Sequence, residues 1–109
     1  MFLYFLFYSV GNVNTDLMPG PNDPATIVVP QQALHRVMFR NAGLYPTLSC
    51  VTNPYSCSIA GRNIMSVSGQ TIMDILRNST IEDGITVMEK CLRWGHIAPT
   101  APDTLGQRC

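Results

Sequence analysis

Between residues 19 and 24 the chain reads Pro19-Gly20-Pro21-Asn22-Asp23-Pro24, and this segment constrains the fold more than any other. Each proline fixes φ and removes a backbone donor, so neither a helix nor a central strand can run through it. Asn14-Thr15-Asp16-Leu17-Met18, just before it, is long enough for one strand. The proline segment is then a sharp loop leaving a strand end, where α/β proteins commonly carry their sites. Eight Pro and eight Gly in 109 residues argue against a helical bundle. With 46% hydrophobic and 13% charged residues the chain is too apolar for disorder. Seven basic residues balance seven acidic ones, so no phosphate-neutralising stripe forms. The expectation is one mixed α/β (α+β) unit, burying about two-thirds of its unfolded surface.

Residues 25 to 45 lack a clean period and read as extended chain with a short helical turn near Val37–Phe39. Leu48–Val51 reads as a strand stopped by Thr52-Asn53-Pro54. Cys57–Ile59 and Asn63–Val67 flank Ala60-Gly61-Arg62 as a hairpin, with Gly61 taking a positive φ. Helical spacing begins directly after Ser68-Gly69, with Ile72, Ile75 and Leu76 on one face and Asp74 and Arg77 on the other. A second helix is expected from Ser79 or Thr80, with Asp83 as the reciprocal partner of the cap. Ile81, Ile85, Met88 and Leu92 then form the stripe facing the core, and Gly95 closes the helix in a left-handed cap. Met18, Met38, Met65, Met73 and Met88 are expected to fill the core, and Trp94 to pack at the helix end.

Cys50, Cys57, Cys91 and Cys109 form no C-x-x-C pair, and His35 and His96 stand far from ligand spacing. Reduced thiols packed as small hydrophobes are one reading, and a disulfide framework in a secreted protein is the other. The apolar opening run Met1–Val10 and the sequon Asn78-Ser79-Thr80 feed the second reading. The opening run lacks a basic residue before it and a small-x-small cleavage site, and it falls short of the ~20 residues that span a bilayer.

Five blocks, in order, carry a resemblance. Asp16-Leu17-Met18-Pro19-Gly20-Pro21-Asn22-Asp23-Pro24 resembles the DxMPGxxDP segment of the small (B) subunits of DNA polymerase delta. Pro30-Gln31-Gln32-Ala33-Leu34-His35 resembles their LPQQPLH, and Val51-Thr52-Asn53-Pro54-Tyr55 their VTNPY. Ser68-Gly69-Gln70 with Asp74-Ile75 is similar to their SGQNxxDI. Leu92-Arg93 with His96 to Gly106 is similar to LRxxHxxPTAPDTLG. The match runs from about Asp16 to Gly106; residues 1–14 read as an apolar stretch outside the family pattern, and residues 107–109 as a tail outside it.

The resemblance implies part of a calcineurin-like metallophosphoesterase fold, a two-sheet β-sandwich flanked by helices, with a degenerate site. An active relative carries GNH(D/E) at the turn that here reads Gly20-Pro21-Asn22-Asp23, and His before Gly where this chain has Ser68-Gly69. Pro21 offers no ligand atom, Asn22 is no general acid at neutral pH, and a neutral Ser68 hydroxyl is a poor ligand for a transition metal. Asp23 reads as a turn residue accepting backbone N–H bonds. Arg36, Arg40 and Arg93 read as surface residues. The resemblance therefore implies no catalytic residue, no metal and no cofactor. It implies a nuclear, non-catalytic accessory subunit in DNA replication and repair synthesis, in contact with the catalytic subunit's C-terminal cysteine-rich domain and a third subunit. DNA would be met only through the complex, and no membrane is involved. An active metal-dependent phosphoesterase and a small secreted disulfide protein are the alternatives.

Overall fold

The computed structural model describes residues 2–106, with side chains from residue 4 onward. The expected tail 107–109, with Cys109, lies outside the described residues. Helix α1 (Phe2–Asn12) is formed by the apolar opening run. It places Leu6 and Val10, four residues apart and thus one turn from each other, in the core. Strand β1 (Thr15–Leu17) follows and pairs in parallel with β2 (Leu48–Cys50), Asp16 opposite Ser49. Between them the chain makes two 3₁₀ turns, Arg36–Met38 and Ala42–Leu44, of which the sequence reveals only the first. Leu6, Val10, Leu34, Phe39, Ala42 and Leu48 pack together as the core, so the opening run is built into the fold on one face while Tyr4, Phe5 and Tyr8 face water.

Gly43 is fixed by a close approach. A Cβ there would stand 2.6 Å from the Arg36 carbonyl oxygen, so no other residue fits without moving backbone. Strands β3 (Tyr55–Ile59) and β4 (Arg62–Ser66) form an antiparallel hairpin with Ile59 opposite Arg62. Its two-residue turn has both Ala60 (φ 51°) and Gly61 (φ 76°) in the left-handed region, the geometry that matches strand twist. β3 starts earlier than the expected Cys57 because cross-strand pairing continues to Tyr55–Ser66, and β4 starts at Arg62 rather than Asn63 because the turn takes only Ala60 and Gly61, which leaves Arg62 paired with Ile59.

Helix α2 (Gln70–Asn78) begins after Gly69, whose φ of 91° turns the chain out of the hairpin. Ile75 is buried, and Ile72 and Leu76 are half-buried beside it. Helix α3 (Gly84–Trp94) corrects the sequence reading in two ways. It starts after residue 83, not at Ser79 or Thr80: Asp83 is itself the cap, its Oδ2 accepting from Thr86 N and Thr86 Oγ1 at 2.8 Å each. A carboxylate at the helix start gains from the dipole as well as from two donors, which a lone hydroxyl at Thr80 does not. The buried face is also different. Val87 is fully buried, whereas Ile85, Met88 and Leu92 face water. Gly84 lies against Ile72, so α2 meets α3 through its small-residue side, leaving the large apolar stripe outside. The C-terminal end agrees with expectation: Gly95 (φ 63°) donates to the Cys91 and Leu92 carbonyls.

Met38, Met65, Met73 and Met88 are exposed and Met18 is half-buried, against the expectation that they fill the core, and Trp94, expected to pack at the helix end, is 53% exposed. Among the described residues no layer covers the outer side of α3, where Met88 lies, or the hairpin, where Met65 lies; Met38 and Met73 are exposed on the first 3₁₀ turn and on α2. The expected two-thirds burial is not reached either. An unfolded chain of 12.0 kDa exposes about 17,400 Å². The folded chain retains 7902 Å², which is a burial of only about 55% on that reference. The mixed helix-and-sheet class is as expected, with two separate two-stranded sheets among the described residues.

Candidate functional site

The proline loop after β1 and the Ser68-Gly69 segment after β4 converge on one polar cluster with a buried centre. Gln31 and Asn53 are 2% and 1% exposed. They are joined by a two-way backbone bridge, Gln31 N to Asn53 O at 2.7 Å and Asn53 N to Gln31 O at 3.1 Å. Gln31 Nε2 donates to the Gly20 carbonyl (3.2 Å) and the Thr26 carbonyl (2.8 Å), which ties down the proline loop. Asn53 Nδ2 donates toward Gln31 Oε1 (2.6 Å), Ser68 Oγ (2.7 Å) and Gln70 Oε1 (2.7 Å). An amide nitrogen has two hydrogens, so three acceptors share them. Gln70 Nε2 donates back to Gln31 Oε1 at 3.0 Å, Ser68 Oγ donates to Gln70 Oε1 at 2.5 Å, and Ser68 N reaches Asn53 Oδ1 at 3.3 Å.

The positions expected from the resemblance therefore divide. Gly20, Ser68 and, through the turn it makes, Gly69 belong to this cluster. Pro21 and Asn22 are exposed at the tip of their loop. Asp23 is spent locally: its Oδ2 accepts from Gly20 N at 2.6 Å and holds the turn closed. Gln31, Asn53 and Gln70, which make the centre of the cluster, lie within the sequence blocks that carry the resemblance, yet no site role attaches to them there. Polar residues flanked by proline, Pro30-Gln31 and Asn53-Pro54, were the available signal.

Chemically, the cluster offers amides and one hydroxyl. None of its side chains titrates near neutral pH, so it holds no general acid or base and no anionic ligand. Among the described residues no three His, Cys, Asp or Glu side chains come close enough to hold a metal. His35 and His96 are occupied in their own turns, each Nδ1 accepting the backbone N–H two residues on, at 3.2 and 3.1 Å. Arg93 pairs with Glu89 on the exposed side of α3, and Arg36 donates to the Tyr45 carbonyl.

Three titrating groups outside the cluster are shifted upward. Tyr55 donates to Asp16 Oδ2 at 2.9 Å across from β1, and this bond to a carboxylate holds its hydroxyl above the ordinary value. Burial raises the Cys50 and Cys91 thiols, the nearby Arg36 charge opposing the effect at Cys50. Cys50, Cys57 and Cys91 are free thiols. A concavity of about 410 Å³ lies elsewhere, between α1 and the 3₁₀ turns, lined by Tyr4, Phe7, Met38, Phe39 and Arg40. No helix among the described residues is long and apolar enough to cross a membrane.

Small sheets, a proline loop on a strand end and a cluster of amides with one hydroxyl where the loops meet are the setting for the family match. Residues 3–107 match the B-subunit family of DNA polymerases alpha and epsilon, and the chain belongs to that family. The matched stretch takes in nearly all of α1. Within the family, the relatives are small subunits of DNA polymerase delta. The Drosophila melanogaster DNA polymerase delta subunit 2 is 46% identical over 90 residues, covering 83% of this chain and 21% of its own length. The Oryza sativa subsp. japonica DNA polymerase delta small subunit is 42% identical over 97 residues, 89% of this chain and 23% of its own. The Saccharomyces cerevisiae protein of the same name is 33% identical, covering 95% of this chain and 28% of its own. The chain thus spans only 21–28% of the length of these relatives.

Proposed function

We propose that this chain acts as part of a non-catalytic accessory subunit of the DNA polymerase delta complex. It would work in the nucleus, in DNA replication and repair synthesis, within a calcineurin-like phosphoesterase fold that has lost its chemistry. The observation that carries this reading is the Gln31–Asn53–Ser68–Gln70 cluster. At the place where the strand-end loops meet, a hydrolase needs charged ligands and an acid or base. The side chains present instead satisfy one another. Such an arrangement is suited to holding loops still for a partner rather than to activating water.

The partners in this reading are the catalytic subunit, through its C-terminal cysteine-rich domain, and a third subunit, with DNA met only through the complex. The test replaces the matched stretch of the Drosophila DNA polymerase delta subunit 2 with this chain and asks two things of the hybrid. It should co-purify with the catalytic subunit's C-terminal domain, and Asn22→Ala, at the exposed tip of the proline loop, should leave that binding unchanged at equal soluble yield. It should not hydrolyse an aryl phosphodiester when given manganese. Hydrolysis that disappears with Asp23→Ala would establish a working phosphoesterase instead. The Asn22→Ala variant serves as the metal control, because a chelator would also strip metal from the partner's cysteine-rich domain.

A further inference from the structure

Ser79 and Thr80, the two residues expected from the sequence to open the second helix, stand outside it. Asp83 caps α3 in their place, so residues 79–83 form a short connection in which neither hydroxyl caps a helix. Ser79 follows the last residue of α2 with an extended backbone (φ −133°, ψ 169°), and both hydroxyl side chains are exposed. Ser79 Oγ accepts a long bond from Ile81 N at 3.3 Å, and its own proton has no acceptor among the described residues. The sequon that includes these residues offers no free amide. Asn78 Nδ2 donates to the Asp74 carbonyl at 2.9 Å and to Asp74 Oδ1 at 3.3 Å. The available nucleophile of the triplet is therefore a hydroxyl.

The acidic residues downstream decide which hydroxyl. An enzyme that reads its substrate by charge needs a carboxylate free to enter a basic groove. Counted from Thr80, the carboxylate three residues on is Asp83, whose Oδ2 is already held by Thr86 N and Thr86 Oγ1 at 2.8 Å each. Counted from Ser79 it is Glu82, exposed and without an ion pair among the described residues. Of the two, only Ser79 combines an exposed hydroxyl with an unspent carboxylate at that spacing.

We propose that Ser79 is a phosphoacceptor for an acidophilic protein kinase, with Glu82 as the residue that the basic groove of the kinase reads. Ser79 Oγ attacks the γ-phosphorus of ATP, and the Oγ–P bond forms as the bond from that phosphorus to the β,γ-bridging oxygen breaks. ADP leaves, and the hydroxyl proton passes to the catalytic base of the kinase. The product carries a charge of about −1.5 to −2 at neutral pH, at the negative C-terminal end of α2. Glu82 and Asp83 lie within four residues as like charges, and Arg77 opposes them from the exposed last turn of α2. An exposed pair with one arginine is worth little, so repulsion wins and the phosphate loosens that turn. The proposal goes beyond the scaffold reading and does not rest on it.

The test incubates the Drosophila hybrid with casein kinase 2 and magnesium ATP and maps its phosphopeptides by mass spectrometry. Ser79 is the expected site. Ser79→Ala and Glu82→Lys should each cut labelling of that peptide at least tenfold, while Thr80→Ala and Glu82→Asp keep it within twofold. Hydrogen exchange at the Arg77 and Asn78 amides should be at least threefold faster in the phosphorylated hybrid. Labelling at Thr80 instead, or labelling of Ser79 indifferent to Glu82→Lys, would overturn the proposal. So would a synthetic peptide of residues 74–88 that is labelled while the folded hybrid is not, since the loop would then be covered. Unchanged exchange at full stoichiometry would overturn the loosening of α2. Should the Drosophila hybrid fail to fold, the same variants are read in the rice small subunit as host.

Discussion

Asn53 concentrates more of this structure than any other single residue. It is almost wholly buried, bridges to Gln31 through its backbone, and through one amide group reaches three further acceptors. Removing the amide leaves the buried Gln31 Oε1 and the half-buried Ser68 and Gln70 oxygens short of a donor, at about 1–3 kcal/mol for a buried orphan. Asn53→Ala in the hybrid is therefore expected to lower the denaturant midpoint, and Asn53→Asp to lower it further, since a carboxylate would face the oxygens of Gln31 and Gln70. The two variants separate by pH. A buried aspartate in that place has a raised folded-state pKa, so its penalty is full above that pKa and eases as pH falls toward the ordinary carboxylate value. The midpoint of Asn53→Asp should rise on acidification through that window and that of Asn53→Ala should show no such component. Equal pH profiles would show that the amide is not held as described.

At the scale of elements, the start of α3 is set by one charged side chain. Asp83 is held below the ordinary carboxylate value, chiefly by the Thr86 backbone N–H and then by the Thr86 hydroxyl. A carboxylate with a lowered folded pKa stabilises at all pH values above its unfolded pKa, and that contribution is lost as pH falls through the folded pKa. Protection of the Thr86 amide from hydrogen exchange, corrected for intrinsic rates, should therefore fall on the acid side of the carboxylate range. Asp83→Asn keeps an acceptor at the cap but does not titrate, so its profile should be flat there. Retained pH dependence in the variant would place the cap elsewhere. The same helix shows what periodicity can and cannot reveal. Its existence, its end at Gly95 and its amphipathic spacing were legible, as were β1, β2 and the hairpin turn. Its buried side was not. Both faces of α3 carry apolar residues, Val87 on one and Ile85, Met88 and Leu92 on the other, and spacing alone cannot say which meets a neighbour. The helix–helix contact went to the side where Gly84 permits close approach to Ile72. The cluster was half legible for a similar reason. Loops leaving strands could be located, but amides meeting across 22 residues, as Gln31 and Asn53 do, leave no local pattern.

For the whole molecule, the balance is between a small core and a large bare surface. Leu6, Val10, Leu34, Phe39, Ala42 and Leu48 form the main buried cluster, while Val87 and Ile75 lie in the separate contact of α2 with α3. A domain has only about 5–15 kcal/mol of net stability, and an apolar side chain left in water forgoes about 1.5–3 kcal/mol of it. The 109-residue chain alone is expected to melt broadly, to bind a hydrophobic dye and to associate on concentration. A sharp, monomeric unfolding transition without dye binding would show the opposite, a self-sufficient domain.

The amide cluster has a consequence for how sequences of this kind can drift. Gln31, Asn53 and Gln70 are tied to one another by their own donors and acceptors, so a change at one leaves the others mismatched in the very groups they contributed. A single replacement is then costly however conservative, whereas a pair chosen to restore donor to acceptor can be nearly neutral. Libraries randomised at residues 31, 53 and 70 together should yield functional combinations whose members fail when introduced one at a time. The route between two good solutions here runs through joint substitutions, and the three positions behave as one inherited unit.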